Sequence, residues 1–306
     1  MRIYADGRDV SDFIGNIGWS GDVSQMARKL SFDYLYTDIS NDVELVEISV
    51  GSRIYVENEM AAGIFDGIVI DEEYEEADIK KSIQAADYAF YLKSKVYGAF
   101  KGTPKQIASQ VLAQFGISAG TLLDVQDSVE ILATGDKTIY QIITEAYGNV
   151  EEGIHIFMTG IFLNVEKIGS IQVGPVSGDD FVTGARYKSS MENMINRVAV
   201  IDNNSSLIKV IDRAEDFKYG IVQEVYKHSD DKKNPIDEAM KMFRTIENSG
   251  SITCKGDFMF MAGRAVIVEK VNSKIQGVFN ITSDSHTISN GLHTVSLTLD
   301  FKGVIG

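Results

Sequence analysis

One cysteine, one tryptophan and three prolines are all that 306 residues contain of these types. A lone Cys254 excludes an intramolecular disulfide framework. It lies in the strand-like run Ser251-Ile-Thr-Cys-Lys, where a small buried hydrophobe is expected. No apolar run reaches the ~18 residues that a membrane-spanning helix needs. Met1-Arg-Ile-Tyr-Ala-Asp-Gly-Arg carries charges where a secretory leader has its apolar stretch, which predicts synthesis in a cytoplasm without general secretory export. Positive charge is short as well: 29 Lys and Arg face 44 Asp and Glu, a formal net charge of −15. That balance argues against holding nucleic acid by phosphate neutralisation, while leaving room for DNA as a passing polymer along an acidic wall.

Motifs that carry chemistry are missing too. There is no Gly-x-x-x-x-Gly-Lys loop, no Gly-x-Ser-x-Gly elbow beside Ser283, Ser285 and His286, and no helical His pair around a glutamate. The four histidines, His155, His228, His286 and His293, are therefore read as structural. His286 and His293 flank a turn, placed to cap strands or to hydrogen-bond across it. Carboxylates cluster at Asp71, Glu72, Glu73, Glu75 and Glu76, at Glu151 and Glu152, and at Asp179 and Asp180. A glycosidase holds two carboxylates about 5 to 10 Å apart across a cleft, whereas adjacent acids in turns are read as solvated. Trp19 is expected to be a partly buried packing residue near a turn. No catalytic, cofactor-binding or metal-ligating residue is assigned.

What the chain does have is alternation. Leu30, Phe32, Tyr34 and Tyr36 share one side of a strand, and strands are predicted at 51–56, 64–70 and 80–86. Val278–Thr282 and His293–Phe301 alternate about Asn290-Gly291, a pair suited to a tight hairpin turn. Thr103-Pro104 opens a predicted helix with Ile107, Val111, Leu112 and Phe115 as its apolar stripe and Gly116 as its stop. A second helix is predicted over Lys137–Tyr147, with Ile139, Ile142, Ile143 and Ala146 facing inward, followed by a hairpin at Thr159-Gly160. Strands resume at 197–201 and 206–212. A third helix is predicted from Asn234-Pro235 to about Glu247, with Ile236, Ala239, Met240 and Phe243 apolar. An internal echo joins the two ends. Gly51-Ser-Arg-Ile-Tyr-Val leads to Gly67, and Gly263-Arg-Ala-Val-Ile-Val leads to Gly277. The expected fold is α+β, mainly β, with tube-like β-barrel or sandwich domains at 1–95 and 191–306 flanking a mixed α/β segment at 96–190.

Several runs together resemble the XkdQ-like proteins of phage tails and phage-tail-like particles. They are Trp19-Ser-Gly-Asp22, Ala27-Arg28-Lys-Leu30-Ser-Phe32, Phe65-Asp-Gly-Ile-Val69, Asp87-Tyr88 and Tyr91-Leu92-Lys-Ser94. The order continues with Phe100 to Ala108, Phe115-Gly-Ile117, Lys137 to Tyr147 and Ser283 to Leu297. The resemblance implies a non-enzymatic baseplate hub of a contractile tail or R-type bacteriocin, related to the late-control-protein D group and made in a bacterial cytoplasm. It implies a homotrimer that adapts a sixfold tail tube to a threefold spike. Its partners would be the tube protein, the spike protein, a LysM-type baseplate protein and the tape-measure protein. No cofactor or membrane is implied, and the acidic surplus is expected on the lumen wall. Two rivals are a tail-associated cell-wall hydrolase, which needs convergent acids, and a receptor-binding module, which needs an exposed aromatic patch.

Overall fold

The computed structural model describes residues 1–35, 45–74, 79–151, 153–178, 182–229, 234–272 and 274–305. Tyr36, Glu75, Glu76, Glu152, Asp179 and Asp180 fall outside them. The architecture is α+β and mainly β. Two compact units are distinguished: residues 1–186 with 251–306, and residues 187–250.

In the first unit the N-terminal strands are β1 (Arg2–Ala5), β2 (Arg8–Asp9), β3 (Ile14–Asp22), β4 (Lys29–Leu35), β5 (Arg53–Glu57), β6 (Gly63–Glu73) and β7 (Lys80–Asp87). Period-two burial explains them: Leu30, Phe32 and Tyr34 of β4 are buried while Lys29 and Ser31 are exposed. Ile3, Trp19, Phe32, Ile54, Phe65 and Ile83 share one core. The next segment supplies β8 (Lys95–Gly102), α1 (Pro104–Gln114), β9 (Ser118–Leu122), β10 (Val129–Thr138), α2 (Ile139–Ala146), β11 (Ile154–Thr159) and β12 (Phe162–Lys167). Both helices open on complete capping boxes, Thr103 with Gln106 and Thr138 with Gln141. The second helix thus starts two residues later than predicted, because Thr138 is its cap and Lys137 still belongs to β10. Ile107, Val111, Leu112, Ile139, Ile142 and Ile143 form a second core. Phe115 is 41% exposed, because it lies at the C-cap where the stripe has run out. The following hairpin turns at Gly160-Ile161, one residue beyond the predicted pair, since Thr159 still pairs with Phe162.

The chain continues through β13 (Gln172–Ser177) and β14 (Val182–Ser190), and leaves the first unit within β14. The second unit holds β15 (Arg197–Ile201), β16 (Leu207–Asp212), β17 (Gln223–Lys227) and α3 (Pro235–Met240). Its sheet runs β16-β15-β17, and Val198, Val200 and Ala239 pack together as a small core. The third helix ends at Met240 instead of near Glu247. Only Ala239 of its stripe is fully buried, Met240 is 54% exposed, and Arg244 turns back to exchange backbone hydrogen bonds with Ile195.

Returning through β18 (Glu247–Lys255), the chain forms β19 (Ala265–Asn272), β20 (Ile275–Ser289) and β21 (Leu292–Ile305). The hairpin is longer than its alternation suggested, with strands continuous up to the Asn290-Gly291 turn, where both residues have positive φ. Fifteen residues of β20 are long enough for two neighbours along one edge. Ile275–Asn280 pairs with β19, and Ser283–Ile288 pairs with β3. One sheet therefore joins both ends of the chain, in the order β14-β18-β21-β20-β3-β4-β7-β6-β5-β1-β2, with β19 on β20 and β13 on β19. The internal echo is visible in it. Gly51 and Gly263 both adopt left-handed φ, +96° and +86°, ahead of strands antiparallel to the segments at Gly67 and Gly277. Ile54 faces Gly67 whereas Val268 faces Gly277. That register difference of two residues preserves which face is buried.

Candidate functional site

Where β3 meets β20, period two puts Asp284 and His286 on the buried face, opposite Gly21 and Trp19. A side chain at Gly21 would overlap the Arg28 guanidinium, so glycine there makes room for it. Arg28 binds Asp284 in bidentate fashion: Nη1 donates to Oδ1 at 2.9 Å and Nη2 to Oδ2. The Ala262 N–H donates a further bond to Asp284 Oδ1 at 2.6 Å. The guanidinium also lies 4.1 Å from the Trp19 ring centroid. Both charges are buried, with side-chain exposures of 7% and 0%. Burial alone would raise the Asp284 pKa, but the Arg28 charge and the hydrogen bonds from His286, Arg28 and Ala262 outweigh it and hold it at about 2.

Two imidazoles extend the cluster. His286 Nε2 lies 2.9 Å from the Phe260 carbonyl oxygen, so that nitrogen carries the hydrogen. Its Nδ1 is then the acceptor for His293 Nε2–H, also at 2.9 Å. Phe258 sits 4.5 Å from the His293 ring and Trp19 4.7 Å from that of His286. Burial, then the neighbouring His286, depresses His293 to a pKa of about 4. His155, buried on β11, is likewise depressed to about 4 by burial and by the Arg28 charge. On the other side, Asp87 accepts from the Arg28 and Ala89 N–H groups, yet burial pushes its pKa up to about 7. Arg28 thus touches Asp284 through its side chain and Asp87 through its backbone.

Chemically this is a lock and not a reaction centre. Each oxygen of Asp284 and of Asp87 already accepts a hydrogen bond from the protein. His286 faces the core while Ser285 on the adjacent position is exposed, so no Ser–His pair forms. A cleft of about 570 Å³ lies nearby, lined by Gln172–Val176, Cys254–Asp257, Met259 and Phe260. Burial pushes the Cys254 thiol up to about 11, which keeps it protonated and unreactive. Among the described residues no three of His, Cys, Asp and Glu are grouped to hold a metal ion.

Among the described residues, the acids singled out in the sequence do not converge. Glu72 pairs with Lys81 at 2.7 Å, while Asp71, Glu73 and Glu151 are exposed. His228 belongs to the second unit, 6.4 Å from the Tyr226 ring. His286 and His293 do bond across the hairpin, as their flanking positions suggested. Trp19 is 3% exposed in the middle of β3, not beside a turn, because Ile17-Gly-Trp-Ser-Gly-Asp22 stays extended through its glycines. The Arg28–Asp284 pair and Asp87 were missed. The available signal was a charged residue in phase with apolar neighbours, as Asp284 is with Ile288 and Asp87 with Ala85 and Ile83.

Residues 17–300 match the family model described as YQBQ-like. Among curated proteins none matches the sequence. Among solved structures, the fold is similar to the 43 kDa tail protein of prophage MuSo2 from Shewanella oneidensis, with TM-score 0.74 and 16% identity over 97% of this chain and 96% of that one. It is similar to the tail protein from Neisseria meningitidis MC58, with TM-score 0.69 and 16% identity over 99% and 96%. It is also similar to the E. coli c3393 protein, a component of the type VI secretion system described as similar to T4 tail proteins gp27 and gp5. There the TM-score is 0.57 and the identity 8%, over 94% of this chain and 73% of that one.

Proposed function

The chain belongs to the YQBQ-like family, and from this we propose that it is a structural, non-enzymatic component of a phage-type tail baseplate, its hub. Three copies form a ring that joins the sixfold tail tube to a threefold spike, in a contractile phage or an R-type bacteriocin. Residues 1–95 and 191–306 supply two tube-like modules per copy, six per ring, and 96–190 supplies a mixed α/β segment between them. The tube, spike, LysM-type baseplate and tape-measure proteins are its neighbours. Assembly takes place in the bacterial cytoplasm.

The observation that carries this reading is the fold shared with phage tail proteins over nearly the whole chain. The sheet that runs from one terminus to the other through the Trp19–His286 register supports it. Such a sheet suits ring closure, which leaves no free edges. The self-contained hydrogen bonding of the Arg28–Asp284 cluster supports a role without catalysis.

Cryo-electron microscopy of particles purified from a producing strain tests this. Threefold density for the chain between tube and spike is expected. Its absence from particles, or sixfold or monomeric placement, overturns the reading. A purified chain that digests cell wall, and loses that activity on Glu151→Gln, would favour the hydrolase instead.

A further inference from the structure

From the outer face of the second unit's sheet we infer a surface by which copies of this chain meet. The inference rests on the hub reading, which needs copies in contact, and names a face that reading leaves open. One side of β16-β15-β17 packs Val198 and Val200 against Ala239 of α3. The other side is apolar at its centre as well. Val210, Ala199 and Val225 stand in register across all three strands, and Leu207 and Ile201 face each other in the adjacent row. Val210, Val225 and Leu207 are 40%, 46% and 62% exposed. A sheet with one solvated face carries polar residues there, whereas this one is apolar on both, as sheets covered on both sides are.

Charge selects the cover. Residues 187–250 hold ten Lys and Arg against eleven Asp and Glu, so fourteen of the chain's fifteen surplus negative charges belong to the first unit. Two copies meeting through first-unit surfaces would set like charge against like; through the second unit they bring together almost no net charge. On the face itself the acid is already matched. Arg197 Nε donates to Asp212 Oδ1 at 2.6 Å and Nη2 donates to Oδ2 at 3.1 Å, with neutral Gln223 in the same row. Lys227, beside Ile201, is the remaining charge in these rows. The centre of an interface is depleted of charge in this way, and its rim is polar. A basic partner would gain most on the acidic first unit. An acidic one is repelled there and admitted here, and this chain is itself acidic and, as a hub, present in several copies.

Photo-crosslinking in assembled particles reads the neighbour directly. Benzoylphenylalanine replaces Val225, or Leu207 in a second preparation, and particles from the producing strain are irradiated. A band at twice the mass of the chain is expected, with both crosslinked peptides coming from this chain by mass spectrometry. A crosslink to a different particle protein, or no crosslink at either position, overturns the inference and leaves the hub reading in place. Val225→Asp puts an unpaired charge where the cover excludes water, and is expected to lower the amount of chain per particle by about tenfold or more. An unchanged amount overturns the inference. If that variant fails to fold, the crosslinking decides alone. A chain missing from wild-type particles overturns the hub reading, and this inference with it.

Discussion

Arg28 and Asp284 lie 256 positions apart in sequence and meet in a bidentate ion pair beneath the seam between β3 and β20. The pair fastens the N-terminal strands to the C-terminal hairpin. Through the Ala262 N–H it also fixes the loop that precedes β19. A break here would separate the two halves of the sheet, so the seam is where the proposed ring-forming surface depends most on single side chains.

Asp284→Asn keeps the shape and the acceptor for Ala262, but leaves the Arg28 charge buried without its counter-ion. Removing one partner of a buried pair costs about 3–5 kcal/mol, and urea denaturation of the purified chain should show a loss of that order. Adding Arg28→Met should recover part of it, since no uncompensated charge then remains. Equal stability of Asp284→Asn and wild type would show that the pair contributes nothing to the seam.

Local rules carried most of the elements. Caps at Thr103 and Thr138, the Asn290-Gly291 turn and the alternation of β4 act over a few residues, and their consequences were legible. Register between distant strands was not. Nothing local announces that Ser283–Ile288 pairs with Gly21-flanking residues of β3, because that choice is made by the Arg28–Asp284 contact and by the space at Gly21. The overlong third helix came from the same limit. Its apolar stripe is real, but the Ile195–Arg244 bridge captures the chain after Met240. The internal echo was legible as a pattern, and its register only from the fold.

Asp87 should make the protein less stable as pH rises. Its folded pKa, about 7, exceeds its ordinary 3.8, so the folded state binds the proton more tightly. The stabilisation is complete below pH 3.8 and is lost as pH climbs through about 7. At 1.36 kcal/mol per unit the full effect is about 4 kcal/mol. Asp87→Asn cannot ionise, so its denaturation midpoints should climb more steeply than those of wild type from pH 4 to pH 6.5 and should not fall between pH 6.5 and pH 8. A variant with the wild-type profile would rule Asp87 out as the source of that fall.

His293 and His155 should act in the opposite sense over nearly the same window. Their folded pKa values are depressed to about 4 from 6.5, so protonation favours the unfolded chain. Their contribution is present above pH 6.5 and is lost as pH falls through about 4. Two histidines oppose one aspartate, so wild-type stability should rise from about pH 4 to pH 6.5 and fall only above that, as Asp87 goes on ionising. His293→Gln retains a donor for His286 and does not titrate. In that variant His155 alone opposes Asp87, so midpoints should rise less between pH 4 and pH 6.5 than in wild type. An unchanged profile would show that the His286–His293 bond does not couple to folding.

The second unit should open before the seam. Met194, Val198, Ala199, Val200 and Ala239 are its buried apolar residues among those described, while Leu207, Ile208, Val210 and Val225 of the same sheet are 40–62% exposed. A sheet that buries so little has a small apolar contribution to set against the entropy of ordering its strands. The seam, in contrast, stacks Trp19 against Arg28 and His286 over a core that includes Leu30, Phe32 and Ile83. Trp19 is the chain's sole tryptophan, so its emission reports on the seam alone. Hydrogen exchange in increasing urea should show β15, β16 and β17 losing protection at concentrations where Trp19 emission is still that of the native protein. Loss of both signals at one concentration would mean that 187–250 unfolds only with the rest of the chain, and that its exposed apolar face costs it no independent stability.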